Sequence, residues 1–243
     1  MNHRNLILLI AILATLAGCV NADDTPKGAS EGSAHSEDSS GDSDSQTVNG
    51  SIRVKPGEKR DDVSTVNGSI HIDDNASVAS AHTVNGSISL GAHSSAASLH
   101  SVNGSITIGA GATVSDNVSA VNGSVTLREG ADVHSSLGNV NGRIQLQAAH
   151  VGGGIKTVSA DIDIGGGSHV EGGILVHKAS EGVFGLFHWG KDDTPRIVIG
   201  PGAVVDGNLR FEREVQLFVS DSATIGTVSG ANPVKFSGAK PPE

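Results

Sequence analysis

Histidines are the side chains whose type and spacing come closest to a chemical site in this chain. Eleven are present, and His82 and His100 are separated by 18 residues, which is also the main repeat period of the chain. At that spacing the two imidazoles would face each other on adjacent layers about 5 Å apart, close enough to share a metal ion. Zinc sites use three or four protein ligands, and no third ligand recurs with this pair. The sequence therefore predicts two solvated histidines and no metal site.

Paired carboxylates are the second set of residues that could do chemistry. Asp161 and Asp163 fall on the same side of one strand, and Asp73 and Asp74 fall at a predicted corner. A glycosidase needs two carboxyl groups held across a cleft, and no base or cation recurs beside either pair. We interpret both pairs as solvated edges. We name no catalytic residue, predict no cofactor and expect the chain not to be an enzyme.

The element that must position these side chains is a repeat built on the tripeptide Val-Asn-Gly. Its six copies are spaced by 18, 18, 18, 19 and 19 residues, and a degenerate seventh copy begins at Val158. The asparagines of the six copies are Asn49, Asn67, Asn85, Asn103, Asn122 and Asn141. A fixed period of this length indicates a stacked architecture, in which each repeat contacts only its neighbours.

A finer period lies inside this repeat, because apolar residues recur every six positions from Val66 through Ile72 and Val78 to Val102. Three sides of six residues make one triangular coil. We therefore predict an all-β fold, a single-stranded parallel β-solenoid of about nine coils of 18–19 residues each. An antiparallel meander is the alternative, since Asn-Gly favours hairpins, but it would need an equally regular second turn in each repeat. Propeller blades and helical repeats have longer units, and leucine-rich repeats need a leucine ladder that is missing here.

Alternation along a strand predicts which side chains reach the core. It assigns the inward face to Val84, Ile88 and Leu90 and the outward face to Asn85, Ser87 and Ser89, with Gly86 inward or at a bend. Stacking of the repeats would place the asparagines in one column. Their amides could bond along the stack, as they do in cross-β assemblies, or the Asn-Gly pairs could serve as turns. The sequence leaves both interpretations open.

The N-terminal residues predict export and attachment to a membrane. Residues 1–18 contain a short basic start and an apolar run too short to span a bilayer, as in a secretory signal peptide. The four residues that end at Cys19, the only cysteine in the chain, resemble the bacterial lipobox. This resemblance implies a signal peptide cleaved before Cys19 and a lipid anchor on that residue. In Gram-negative lipoproteins of this kind the absence of Asp at the next position, here Val20, goes with sorting to the outer membrane, facing the periplasm or the cell surface.

An acidic segment separates the anchor from the repeats. Residues 19–46 are rich in Asp, Ser, Gly and Glu, and Lys27 is their only lysine or arginine. Such a composition buries too little apolar surface to offset the entropy of ordering, so we predict a disordered tether. The formal net charge of the whole chain is −10, and it has no basic stripe, which argues against nucleic acid as a partner. The β-solenoid is assigned to residues 47–243.

An aromatic segment interrupts the repeats at about residues 178–196. It contains Phe184, Phe187 and Trp189, which are three of the six aromatic residues of the chain. An apolar loop that leaves a solenoid could cover an open coil end, or it could bind a partner or a membrane surface. The covering role is the simpler one, because a solenoid must protect its terminal edges.

Two resemblances to known families concern the repeats themselves. The segment 197–209, with its Ile-Gly-Pro-Gly-Ala motif, resembles the coil signature of bactofilins, which are polymer-forming bacterial proteins. The Val-Asn-Gly-Ser-Ile units resemble the β-solenoid domains of adhesin-like envelope proteins. Together the resemblances cover about residues 47–235 and imply a scaffold with no reaction attached. The bactofilin-like segment favours a right-handed coil, although the six-residue period is also that of the left-handed hexapeptide acyltransferases.

These observations lead to one expectation of function and one alternative. We expect a non-catalytic lipoprotein of the cell envelope that acts as a structural or adhesive scaffold and is able to associate with itself end to end. The alternative is a module that binds glycan or peptidoglycan. The expected partners are the membrane, through the lipid anchor, a second copy of the chain, and cell-wall glycan or an envelope protein.

Overall fold

The computed structural model describes residues 44–178 and 194–242, and all regular secondary structure in these ranges is β-strand. The strands are β1 (Ser45–Asn49), β2 (Ile52–Val54), β3 (Lys59–Asn67), β4 (Ile70–Ile72), β5 (Ser77–Asn85), β6 (Ile88–Leu90), β7 (Ser95–Asn103), β8 (Ile106–Ile108), β9 (Thr113–Val114), β10 (Val118–Leu127), β11 (Asp132–Val133), β12 (Leu137–Leu146), β13 (His150–Val151), β14 (Ile155–Thr157), β15 (Asp161–Ile164), β16 (His169–Val170), β17 (Ile174–Val176), β18 (Arg196–Ile199), β19 (Val204–Val205), β20 (Leu209–Phe211), β21 (Gln216–Ser220), β22 (Thr224–Ile225), β23 (Val228–Ser229) and β24 (Val234–Phe236). The first strand therefore starts inside the segment that the sequence assigned to the tether. The predicted signal peptide and Cys19 lie outside the described residues.

The strands stack in register, one coil above the next. β3 pairs in parallel with β5, and β5 pairs in parallel with β7, so that Asn67, Asn85 and Asn103 follow one another in a column. The pairings of the other strands are parallel as well, and they form a solenoid of about ten turns. The predicted fold class is confirmed. The antiparallel meander is excluded for the described residues, because a meander would pair consecutive strands in opposite directions.

Each coil has three sides, which we call side A, side B and side C. In one coil, β11 forms side A, residues 137–141 of β12 form side B, and residues 144–146 of β12 form side C. The Asn-Gly pair marks the corner between side B and side C. In the first coils side A and side B merge into one nine-residue strand, as in β5.

The core is a thin stack of aliphatic columns, one or two from each side. Val133 of side A, Leu137 of side B and Ile144 of side C are fully buried, and residues of the same type follow above and below them. A buried side chain of this size contributes about 1.5–3 kcal/mol relative to an exposed one. Because the parallel strands satisfy their backbone groups with the coils above and below, the core needs no polar side chain except at the corners.

Alternation along the Val-Asn-Gly segment differs from the prediction. Val84 is only partly buried and faces outward, whereas Thr83 is 97% buried, with 3% of its surface exposed. The next inward residue is Ile88, five positions after Thr83. The corner therefore contains an even number of residues between two inward side chains, and alternation changes phase there. Alternation with a period of two residues holds only for an unbent strand, so it does not predict this change.

The aromatic segment is inserted at one corner without disturbing the stack. Ile162 of β15 pairs with Ile197 of β18, and the same 35-residue step joins Asp161 to Arg196. β17 lies on side B and β18 on side C, so the extra residues fall in the chain where the other coils have their Asn-Gly pair. The side chains of Phe184, Phe187 and Trp189 lie outside the described residues, and their role stays a prediction.

The C-terminal coil departs from the regular pattern. In the β21–β24 pairing, Lys235 follows Val219, a fully buried member of the side C core column, but Lys235 itself is exposed. The carbonyl of Pro242 then accepts a hydrogen bond from the Arg196 guanidinium, at 3.1 Å. A charged, exposed residue on the last strand is one of the devices that prevent further strand pairing at a sheet edge. Within residues 44–178 and 194–242 no helix is long and apolar enough to cross a membrane.

Candidate functional site

Side chains of the repeat asparagines form a hydrogen-bonded ladder on the outside of the solenoid. Each Nδ2 donates to the Oδ1 of the asparagine in the preceding coil, and the four distances lie between 2.9 and 3.1 Å. The bonded residues are Asn49, Asn67, Asn85, Asn103 and Asn122. Asn141 pairs with Asn122 through the backbone register of β10 and β12. The ladder presents a straight row of amides, one per coil, about 4.8 Å apart.

A column of glycines fixes the corner that carries the ladder. A Cβ built on Gly86 would lie 1.8 Å from the carbonyl oxygen of Gly68, and Gly104 meets Gly86 at 1.9 Å in the same way. No side chain fits there, because this carbonyl points along the stack. The buried hydroxyl of Thr83 donates to the same Gly68 oxygen at 2.9 Å, so this carbonyl is satisfied inside the core. The Asn-Gly pair is thus a corner as well as a ladder position.

His82 and His100 lie beside the ladder on side B, one coil apart. Their rings are stacked, with centroids 4.9 Å apart and planes inclined by 5°, and His100 Nδ1 contacts the Ser119 hydroxyl at 2.5 Å. Burial and then the neighbouring His82 lower the pKa of His100 to about 4. Burial also lowers the pKa of His82. The pair is half-buried rather than fully solvated as the sequence suggested, and at neutral pH it is uncharged.

A second set of chemically capable side chains lies on the outward face of side A. Its six members come from four successive coils, and each histidine contacts at least one carboxylate. They are Asp132, His134, His150, His169, Glu171 and Asp206. We call them the histidine–carboxylate cluster.

The centre of this cluster is His150, which has a carboxylate at each ring nitrogen. Its Nδ1 lies 2.6 Å from Asp132 Oδ1, and its Nε2 lies 3.2 Å from Glu171 Oε1. The hydrogen bond to Asp132 is the main reason that the pKa of His150 is raised, while partial burial acts in the opposite direction. His169 is tilted against His150 with ring centroids 5.5 Å apart, and its Nε2 lies 2.6 Å from Asp206 Oδ2.

The backbone holds this cluster in place. Asp132, His150 and His169 occupy one column of β11, β13 and β16, because their strands pair in register. Each is followed by a fully buried valine, Val133, Val151 or Val170, which fixes the strand against the core. The sequence did not predict this cluster, because only His82 and His100 have the exact 18-residue spacing of the main repeat. The signal was present, since His150 and His169 are also one coil apart.

Three of the four carboxylates that the sequence singled out, Asp73, Asp74 and Asp161, are engaged in local contacts. Asp73 accepts from the Arg53 guanidinium at 2.8 Å, and Asp161 accepts from the backbone N–H of Arg196 at 2.8 Å. Asp74 accepts from the backbone N–H of Ala92 in the next coil at 2.7 Å. No cation recurs beside these carboxylates in the sequence, but the fold brings one to each pair. Arg53 lies 20 residues from Asp73, and a guanidinium nitrogen of Arg143 lies 3.7 Å from Asp161 Oδ2. At an exposed position such an ion pair contributes little stability.

No known family model, curated protein or solved structure matches this chain. The similarity to bactofilins and to adhesin-like domains therefore remains a resemblance of short motifs. Two of the best-formed depressions among the described residues are shallow. One is lined by residues such as Pro201 and Asp221 near the C-terminal end. The other is lined by Gly153 and Gly172, at the corner between side A and side B.

Proposed function

We propose that the protein is a non-catalytic lipoprotein of the bacterial cell envelope that acts as a structural or adhesive scaffold. The observation that carries this proposal is the asparagine ladder together with the uninterrupted aliphatic core beneath it. From Asn49 to Asn122 the asparagine bond recurs in each coil, and the parallel backbone pairing continues along the described strands. The result is a stiff element with flat polar faces, which suits a spacer or a contact surface better than a reaction centre.

The dimensions support a spacer. About ten turns at about 4.8 Å per coil give a rod of roughly 45–50 Å. The strands inside the stack pair in parallel with the coils above and below, so bending the rod would break many hydrogen bonds at once. The proposed lipid at Cys19 and the acidic segment that follows it would then attach this rod to the outer membrane and let it reorient.

End-to-end polymerisation is the less favoured form of this scaffold. A filament of this kind needs complementary surfaces at both ends, because head-to-tail stacking is heterologous. Lys235 is aligned in register with the buried Val219 but is itself exposed, and a charge on the last strand opposes the pairing of a further coil with it. We therefore favour a rod of fixed length that meets its partners through its sides.

The second candidate is a glycan-binding module, and the same ladder is the feature that favours it. A row of amides spaced about 4.8 Å apart offers donors and acceptors at regular intervals, which a repeating polysaccharide could match. The ladder amides already bond to one another, however, so only part of their hydrogen-bonding capacity remains for a ligand. Because the amides bond mainly to one another, we favour the scaffold over the glycan-binding module.

Membrane fractionation tests the anchor. The full-length chain is expressed with its signal sequence, and wild type is compared with Cys19→Ala after an alkaline wash of the membranes. We expect wild type to stay with the outer membrane and Cys19→Ala to be released into the soluble fraction. Retention of the variant would contradict lipid attachment at this residue.

Affinity isolation distinguishes the two functions. The lipoprotein is extracted in mild detergent, its mass is measured by light scattering, and it is sedimented with purified peptidoglycan. A scaffold is expected to show a discrete mass and no sedimentation with the cell wall. Sedimentation that is lost in Asn85→Asp but kept in Thr107→Asp, a variant on side C, would instead favour the glycan-binding module.

A further inference from the structure

The histidine–carboxylate cluster on side A has a geometry that the scaffold function does not require. Polar surface residues on a solenoid serve solubility, and isolated serines or lysines would serve it equally well. Here His150 and His169 instead face each other across adjacent coils, and Glu171 reaches His150 from the same coil as His169. One ligand atom from each of these three residues lies within 4.8 Å of the others.

We propose that His150, His169 and Glu171 bind one divalent transition-metal ion on the outer face of side A. In a tetrahedral zinc site with bonds of about 2.0–2.2 Å, neighbouring ligand atoms are about 3.3 Å apart. His150 Nε2 and Glu171 Oε1 already have this separation, at 3.2 Å. The ligand atom of His169 must come closer by at most about 1.5 Å to complete the triangle.

Asp132 positions the first of these ligands. Its Oδ1 lies 2.6 Å from Nδ1 of His150, so a proton on Nδ1 is held by Asp132 and the lone pair of Nε2 is directed to the side of Glu171, where the ion would sit. A carboxylate that orients the far nitrogen of a metal-binding histidine is the usual partner at such sites, and it also makes the histidine a stronger ligand. Asp132 touches a second imidazole, that of His134, at 3.1 Å. This contact restrains the carboxylate.

The backbone gives the site its rigidity and its space. The N–H groups of His150 and Glu171 donate to Ala131 and Val151 in the preceding coils, at 2.8 and 3.0 Å. Gly152 lies two residues after His150, as Glu171 does after His169, and a Cβ there would come within 2.5 Å of a backbone oxygen. Because this position carries no side chain, Glu171 can extend toward His150 without obstruction. Ligands fixed on strands keep their mutual distances better than ligands on loops.

The donor set determines the class of ion. Two imidazoles and one carboxylate suit Zn²⁺ and neighbouring transition metals, whereas Mg²⁺ and Ca²⁺ prefer oxygen ligands throughout. Three protein ligands leave a fourth position for water or an external group, and the surface location keeps that position accessible. Asp206, which lies 2.6 Å from Nε2 of His169, is the nearest further carboxylate on the same face.

Calorimetric titration of the full-length chain in detergent, after removal of metals with a chelator, tests the proposal. Zn²⁺ is added at pH 7.5, because metal ligands bind in their deprotonated form. We expect one tight site per chain in wild type. The double variant His150→Ala/His169→Ala should weaken binding at least 100-fold, and Asp132→Asn should weaken it about 10- to 100-fold, as loss of an orienting partner does elsewhere.

A matched pair of histidines on another side supplies the control. His82→Ala/His100→Ala removes two histidines that are likewise one coil apart, on side B, and should leave the affinity within about threefold of wild type. Far-ultraviolet circular dichroism checks that all variants retain the β fold. The proposal is overturned if wild type shows no site, if the side A variant binds like wild type, if both double variants lose binding equally, or if Mg²⁺ binds as tightly as Zn²⁺.

Discussion

At the scale of single residues, glycines in this solenoid are required for two different physical reasons. Gly86 lies at the Asn-Gly corner, outside the set of glycines with positive φ, and an added Cβ would overlap the Gly68 carbonyl oxygen at 1.8 Å. Gly57 lies in an exposed turn with φ of 74°, and an added Cβ would meet nothing within 4 Å. The first position excludes side chains by space and the second by backbone conformation.

Alanine substitution separates these two causes. Gly86→Ala should destabilise the fold by about 3–5 kcal/mol, because two coils must move apart to admit the methyl group. Gly57→Ala should cost only about 1 kcal/mol, the approximate penalty for alanine in the left-handed region. Urea unfolding followed by circular dichroism gives both free energies. Equal losses in the two variants would show that the coil corner can relax around the extra carbon.

The stacked histidines give the free energy of unfolding a defined pH dependence. His100 has a folded pKa of about 4, lowered chiefly by burial, so the unfolded chain binds a proton at a higher pH than the folded chain does. Where the unfolded state binds more protons, stability rises with pH. The contribution of His100 is therefore complete above about pH 6.5 and is lost progressively as the pH falls toward 4.

We expect wild type to lose about 1–2 kcal/mol between pH 7.5 and pH 5 through this group, a figure reduced for partial contact with solvent. His100→Gln, which stays neutral at both values, should remove that part of the pH dependence. His71→Gln, at an exposed position on side C, should keep it. The measurement is urea unfolding at the two pH values. If His100→Gln lost as much unfolding free energy between pH 7.5 and pH 5 as wild type, His100 would not be the group responsible.

At the scale of elements, the ladder adds side-chain hydrogen bonds to backbone pairing that already exists. Asn85 bonds to both Asn67 and Asn103, and Asn49 has only the bond from Asn67. Asn141 occupies the same corner position, but the four bonds of the ladder stop at Asn122. The three positions share the Asn-Gly pair and differ in the number of ladder bonds. The alternatives that the sequence left open can be separated on this basis.

Alanine at these positions should give a graded series. A net 0.5–1.5 kcal/mol for each hydrogen bond predicts a loss of about 1–2 kcal/mol for Asn85→Ala and about half of that for Asn49→Ala. Asn141→Ala, as the control for turn preference, should cost less than about 0.5 kcal/mol. Thermal and urea unfolding give the values. If all three variants were equally destabilised, turn chemistry rather than the ladder would be the reason for asparagine.

The elements also show which parts of the structure a sequence can predict. The 18-residue period determines the coils, because parallel stacking brings equivalent residues into register, and this is why the ladder asparagines and His82 with His100 were found adjacent. The phase change between Thr83 and Ile88 was not predictable from alternation, since it depends on how a bent backbone turns the corner. Contacts that step between columns, such as His150 with Glu171, need three-dimensional coordinates.

At the scale of the whole molecule, the described solenoid is one-dimensional, so its stability is approximately a sum over coils and over the interfaces between them. Among the described residues of the regular coils, each strand pairs with the strands one coil above and below. The formal net charge of the whole chain, −10, opposes association between the repetitive strands of neighbouring copies. The solenoid should then tolerate deletion or insertion of whole coils, but not of parts of a coil.

Deletion of one complete repeat tests this property of the molecule. Removal of residues 86–103 joins Asn85 to Gly104 and restores the Val-Asn-Gly-Ser corner, so the inward columns continue in register. We expect a folded rod about one coil shorter, with the dependence of unfolding on urea reduced by about a tenth, since that slope follows the surface exposed. Removal of residues 86–94 alone should abolish folding, because side A would replace side C and the columns would no longer match. Circular dichroism and small-angle scattering measure both outcomes. A full-repeat deletion that unfolds like the half-repeat deletion would show that the coils are not interchangeable units.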